Sequence, residues 1–183
     1  MIRLKFYGLG GQGVVTAGEI FSGAVSLFED KYAITIPAYG HERRGAPVNT
    51  SIVMDEEPIL VNSFVYNPDI VLVMDPTVID KGVDISEGIH KDSKLVINTA
   101  DEKVLKRYKE YGFKEMYSVD GTAIALDKIG RGIPNSAMLG ALAGTGLLKI
   151  DSVEEAIRSF FGEKVGDINA EAAREAYEQI KKI

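Results

Sequence analysis

The sequence predicts an α/β fold, in which a mixed, mainly parallel sheet is layered between helices and the C-terminal part is helical. Three observations predict it. A short alternating apolar run (Ile2, Leu4, Phe6) meets a glycine-rich turn and then an amphipathic stretch from Val14, which reads as strand, tight turn and helix. Two apolar runs, Ile70-Val71-Leu72-Val73-Met74 and Leu95-Val96-Ile97, lack the alternation of a one-sided strand and so belong in a sheet covered on both faces. Beyond residue 121 the spacing is helical almost to the end. With 183 residues and 45% hydrophobic composition, the chain suits one domain over 1–183, three-layered and Rossmann-like.

Each element follows from local pattern. Val14, Ala17, Ile20, Phe21, Ala24, Leu27 and Phe28 recur at three and four residue spacing, a helix ending near Glu29-Asp30 and forming the crossover of a βαβ unit. A second strand, 32–36, stops at Pro37, and another extended run covers 48–54. Asp55-Glu56-Glu57-Pro58 then turns into Ile59-Leu60-Val61, which predicts an antiparallel hairpin between 48–54 and 59–61. Asn67-Pro68-Asp69 is a turn feeding the central strand 70–74, whose end at Asp75-Pro76-Thr77 places a carboxylate to cap the next turn in preference to facing a ligand. Residues 78–93 are loop-rich. A buried strand over 94–98, a helix over 101–111 stopped by Gly112, and an edge strand over 115–119 follow. Four helices are predicted after that, over 122–130, 134–146, 152–161 and 169–182. The third carries a capping box, Ser152 with Glu155. The second carries a stripe of small residues, Ala137, Gly140, Ala141 and Gly144, which calls for close packing, ordinarily within the chain, with a subunit contact as the alternative.

Composition narrows the chemistry. The net charge of −6 disfavours nucleic acid and anionic lipid as partners. Without cysteine there is no disulfide, thiolate nucleophile or cysteine-ligated cluster, and two distant histidines, His41 and His90, give no metal-ligand spacing. The chain opens directly into a strand and no run approaches membrane length, so the expected location is the cytoplasm.

Gly8-Leu9-Gly10-Gly11-Gln12-Gly13 is the candidate binding element. Four glycines in six positions clear Cβ atoms from the backbone ahead of a helix N-terminus, whose free N–H groups and positive dipole end suit a phosphate or other anion. The spacing satisfies G-x-G-x-x-G, but the acidic residue that an NAD site wants about 20 positions further on is replaced by a segment with two arginines beside Glu42. A phosphate-bearing ligand is therefore preferred over NAD, with close helix–strand packing as the alternative role of the glycines. Arg43 and Arg44 suit bidentate binding of phosphate or carboxylate, the alternative being a surface ion pair; His41 reads as a hydrogen-bonding or interface residue more than as a base. No Walker lysine follows the glycines, and no thiamine diphosphate motif surrounds Asp120-Gly121. No catalytic residue is assigned.

Four motifs in this order resemble one family over nearly the whole chain: Gly10-Gly11-Gln12-Gly13-Val14-Val15-Thr16-Ala17, Tyr39-Gly40-His41-Glu42-Arg43-Arg44-Gly45-Ala46-Pro47-Val48, Asn67-Pro68-Asp69 with its strand, and Gly132-Ile133-Pro134-Asn135-Ser136-Ala137-Met138-Leu139-Gly140-Ala141. They resemble the gamma subunit of 2-oxoacid:ferredoxin oxidoreductases, and the Glu-Arg-Arg-Gly-Ala-Pro version is more similar to the pyruvate or branched-chain type than to the indolepyruvate type. The resemblance implies a complex with alpha, beta and delta subunits, or fused equivalents, that hold thiamine diphosphate, Mg and iron–sulfur clusters. Such a complex decarboxylates the oxoacid, reduces ferredoxin and forms acyl-coenzyme A. It implies that this chain alone is inactive, binds no cofactor by itself and lies close to the coenzyme A path. With the anion-friendly corner, the expectation is that Gly10, Gly11, Gln12 and Gly13 with Arg43 or Arg44 lie beside the nucleotide or pyrophosphate of coenzyme A. The rival readings are a stand-alone dinucleotide oxidoreductase and a scaffold subunit without ligand contact.

Overall fold

A computed structural model describes residues 1–38 and 44–183. One seven-stranded sheet in the order β2-β3-β1-β4-β5-β6-β7 forms the middle layer. Its strands are β1 (Ile2–Leu9), β2 (Tyr32–Pro37), β3 (Pro47–Asp55), β4 (Ile70–Val73), β5 (Lys94–Asn98), β6 (Glu115–Val119) and β7 (Lys181–Lys182). β1, β4, β5 and β6 are parallel neighbours, whereas β3 runs against both β1 and β2, and β7 against β6. The sheet is mixed and mainly parallel, as the sequence predicts.

The helices are α1 (Val14–Phe28), α2 (Glu102–Lys109), α3 (Gly121–Ile129), α4 (Asn135–Ala143), α5 (Ile150–Phe161) and α6 (Glu163–Gln179). On one face Leu4, Phe6, Ile52, Leu72 and Val96 meet α1 and the α4–α6 group in the larger core. On the other face Tyr7, Val71, Val73, Leu95 and Ile97 meet a 3-10 turn (Pro76–Lys81) and Tyr108 of α2. β4 contributes alternately to both cores, which is why its sequence shows no alternation.

Several expectations need correcting. Residues 59–61 form no strand; 48–54 lies in β3, whose partners are β1 over eight register pairs and β2 over six. The hairpin is therefore β2–β3. α1 remains a crossover, but it joins β1 to a strand two places away with β3 inserted between them. β6 is not the sheet edge, because β7 pairs outside it. The predicted capping box does not form: α5 begins at Ile150, two residues before Ser152, and the Ser152 hydroxyl lies 3.4 Å from the Phe28 carbonyl. α6 begins at Glu163 directly after Gly162 and ends at Gln179, so the chain's last residues leave the helical layer for the sheet.

The small-residue stripe also has an internal partner. All nine residues of α4 are buried, and a Cβ on Gly140 would overlap the Ala173 carbonyl of α6. α4 packs inside this chain and presents no surface for a partner.

Candidate functional site

β1 and β3 pair through Gly8↔Val48 and Leu9↔Pro47, and the ladder continues past both strand ends. The Gly10 N–H donates to the Ala46 carbonyl at 2.8 Å, and the Gly45 N–H to the Gly10 carbonyl at 3.1 Å. These two bonds hold the glycine loop against the segment that follows β2. As a result Arg44 lies across Gly11: its Cγ is 3.8 Å from the place a Cβ on Gly11 would occupy.

The two segments and the start of α1 line a cleft of about 610 Å³. It is lined by Leu9, Gly10, Gly11 and Gly13 of the loop, Val14, Val15 and Thr16 of α1, and Arg44 and Val48. α1 has no side-chain cap and no acidic residue in its first turn, so among the described residues no side chain caps its first N–H groups. Among the described lining residues Arg44 is the only charged one. An uncapped helix N-terminus and a guanidinium make the field positive, as an anion requires.

Gly13 serves two ends. Its φ of 74° is left-handed backbone that a side chain would strain, and a Cβ there would come within 2.6 Å of Asn135 Nδ2 at the head of α4. Close packing and ligand access both use this glycine.

Gln12 points away from the cleft. Its side-chain carbonyl accepts the Leu9 N–H at 2.8 Å, and its amide donates to Asp75 Oδ2 at 2.6 Å. The other oxygen of Asp75 accepts both the Thr77 N–H at 2.9 Å and the Thr77 hydroxyl at 2.6 Å. Asp75 is thus the predicted cap, and it also braces the glycine loop. The Gln12–Asp75 bond spans the gap between the carboxyl ends of β1 and β4, the switch point where open α/β sheets bind dinucleotides.

A second cleft lies over the ends of β4 and β5, lined in part by Asp75, Asn98, Asp101, Asp120 and Thr122. Its carboxylates are engaged as helix caps: Asp101 accepts the Lys103 N–H and Asp120 the Ala123 N–H. Asn98 is likewise committed, donating to the Met74 carbonyl at 2.7 Å and the Thr122 hydroxyl at 2.8 Å. Among the described residues no group of three His, Cys, Asp or Glu side chains is placed to hold a metal ion.

Of the residues predicted to bind, the structure brings together Gly10, Gly11, Gly13 and Arg44. Gln12 supports the loop from behind. Arg43, with His41 and Glu42, lies outside the described residues. The brace at Asp75 has no signal in local sequence, because its partner is 63 residues away. Asn135 stands within the Pro134-Asn135-Ser136 motif, but its contact with Gly13 depends on how α4 meets α1.

The chain matches the family of pyruvate ferredoxin/flavodoxin oxidoreductases over residues 3–179. It belongs to that family. Similar family members include the pyruvate/ketoisovalerate oxidoreductases common subunit gamma of Pyrococcus furiosus, 45% identical over 99% of this chain and 98% of that one. The pyruvate synthase subunit PorC of Methanothermobacter marburgensis is 46% identical over 99% and 98%. Among solved structures, the pyruvate oxidoreductase subunit PORC of Thermotoga maritima superposes with a TM-score of 0.82 at 35% identity, covering 99% of this chain and 97% of that one. This family member thus shares the sheet and the helical layer of PORC from end to end. Among the described residues no helix is long and apolar enough to cross a membrane.

Proposed function

We propose that the chain is the gamma subunit of a cytoplasmic 2-oxoacid:ferredoxin oxidoreductase of the pyruvate type, and that its cleft holds the phosphate-bearing end of coenzyme A. Alpha, beta and delta subunits supply thiamine diphosphate, Mg and the iron–sulfur clusters and pass electrons to ferredoxin. The observation that carries the coenzyme A reading is the pair of backbone bonds between Gly10 and the Gly45-Ala46 segment, which sets Arg44 beside an uncapped helix N-terminus. The cleft is roomy, open to solvent along the bare loop, and free of carboxylates among its described lining residues. The loop N–H groups and Arg44 bind and orient the pyrophosphate, while the acyl transfer takes place on groups of the sister subunits. The full-length likeness to gamma and PorC subunits disfavours the stand-alone oxidoreductase.

The test is coenzyme A affinity of the assembled complex. Arg44→Ala removes a charge-assisted contact at a partly exposed site and is expected to weaken coenzyme A by about tenfold while the oxoacid KM stays unchanged. Arg43→Ala is measured in parallel. Unchanged coenzyme A affinity in both variants, with assembly intact, overturns the assignment and favours the scaffold reading.

A further inference from the structure

Between β3 and β4 the chain runs as a strap, residues 56–69, without helix or strand. It lies on the sheet face turned away from α1, since Ser51 and Val53 of β3 stand on the side opposite Ile52 and its core. Val65 is the anchor: it is 2% exposed, and its N–H donates to the Ser51 hydroxyl at 3.0 Å. Gly88 packs directly on the Tyr66 carbonyl and fixes the strap a second time.

Around this anchor the apolar side chains face water. Leu60 is 92% exposed, Val61 67%, Tyr66 68% and Phe64 44%, and with Met1 they line a groove of about 500 Å³. A backbone held from below gains little for the fold from Leu60, Val61 and Tyr66, whose side chains are turned mostly to water. The exposed surface of Leu60, Val61, Phe64 and Tyr66 is on the order of 500 Å². That is at the upper end of the roughly 300–600 Å² of the largest apolar patch on a typical monomer, which is often functional. It is more than half of the roughly 800 Å² that each partner contributes to a standard specific interface.

We propose that the strap is the docking face for a sister subunit of the oxidoreductase, which seats a complementary apolar surface on Leu60, Val61, Phe64 and Tyr66. The inference rests on the gamma-subunit reading but not on the coenzyme A assignment. The four side chains are uncharged, so the contact is hydrophobic and withstands salt that would screen ion pairs. The occupant is a different polypeptide, because the family members named as gamma subunits are parts of hetero-subunit enzymes.

The experiment uses the full chain co-expressed with its sister subunits, carrying Leu60→Ser and Tyr66→Ser together. Both side chains are exposed, so the isolated variant is expected to melt with the wild type. Its affinity for the remaining subunits is expected to fall by at least about thirtyfold. The wild-type complex should survive roughly 1 M salt, where Debye screening removes surface ion pairs. Recovery of the variant in a stoichiometric complex overturns the proposal. So does a wild-type chain that dimerises alone through the strap while the variant assembles normally. Arg44→Ala separates the two readings: if it weakens coenzyme A while the strap variant assembles, only this inference fails; if the strap variant dissociates and Arg44→Ala has no effect, only the cleft assignment fails.

Discussion

Single residues show how sharply glycine roles divide. Gly23 lies inside α1 with nothing near the direction a Cβ would take, so Gly23→Ala is expected to stabilise the chain by about 0.5–1 kcal/mol through helix propensity alone. Gly140 is the opposite case. Gly140→Ala drives a methyl into the Ala173 carbonyl, and α4 must move off α6 at a cost of about 1–3 kcal/mol or more. Denaturant midpoints of the two variants check both signs. From sequence only Gly140 stood out, because it belongs to a stripe of small residues with Ala137, Ala141 and Gly144. The site divides in the same manner: Gly10, Gly11 and Gly13 were legible as a bare corner, because four glycines before an amphipathic run have few other meanings. Gln12 looked like part of the same surface, yet its side chain turns back to Leu9 and Asp75. A sequence shows which residues are small, but not which way a long side chain turns.

Elements were most legible where burial is two-sided. β4, β5 and the glycine-loop start of α1 fall where uninterrupted apolar runs and the 3.6-residue spacing put them. The misreadings fall where a distant partner overrode a local signal. Asp55-Glu56-Glu57-Pro58 has the chemistry of a hairpin turn, but β3 finds longer ladders with β1 and β2 than residues 59–61 offer, and Asp55 pairs with the N-terminal amine at 3.2 Å. Ser152 has the spacing of a cap, but burial of Ile150 and Val153 draws the helix start earlier. β7 is held by a contact of this long-range kind. Glu115 accepts from Lys182 at 2.5 Å and lies 3.0 Å from Lys94 Nζ, and with the Tyr117 hydroxyl these donors lower its carboxyl to about 2 from 4.5. A lowered folded-state value means the tether is fully present above about pH 4.5 and is lost as pH falls toward 2. The protection factor of the Ile183 N–H, which donates to the Met116 carbonyl at 2.9 Å, should fall over that window. Lys182→Ala should raise the Glu115 midpoint seen by NMR and release Ile183 at neutral pH.

At the scale of the whole molecule, β3 joins the two surfaces proposed for function. Its first residue meets the glycine loop and Ser51 holds the strap, so the cleft end and the strap's anchor stand about 14 Å apart along one strand, at 3.4 Å per residue. The family fold was legible because four separated motifs keep their order. The placement of the strap was not, because an apolar segment reads the same whether its side chains turn inward or out. The outer margin of β2 has its own consequence. Ala33, Thr35 and Pro37 face outward there; the Ala33 N–H is already taken by the Ser26 hydroxyl at 3.2 Å, and proline has none. At the far margin β7 is only two residues long, Lys181–Lys182, which leaves a stray strand little ladder to join. A copy waiting for its partners therefore exposes a greasy belt, yet along β2 it offers a stray strand only the Thr35 amide among the described residues, and it lingers unassembled without polymerising edge to edge.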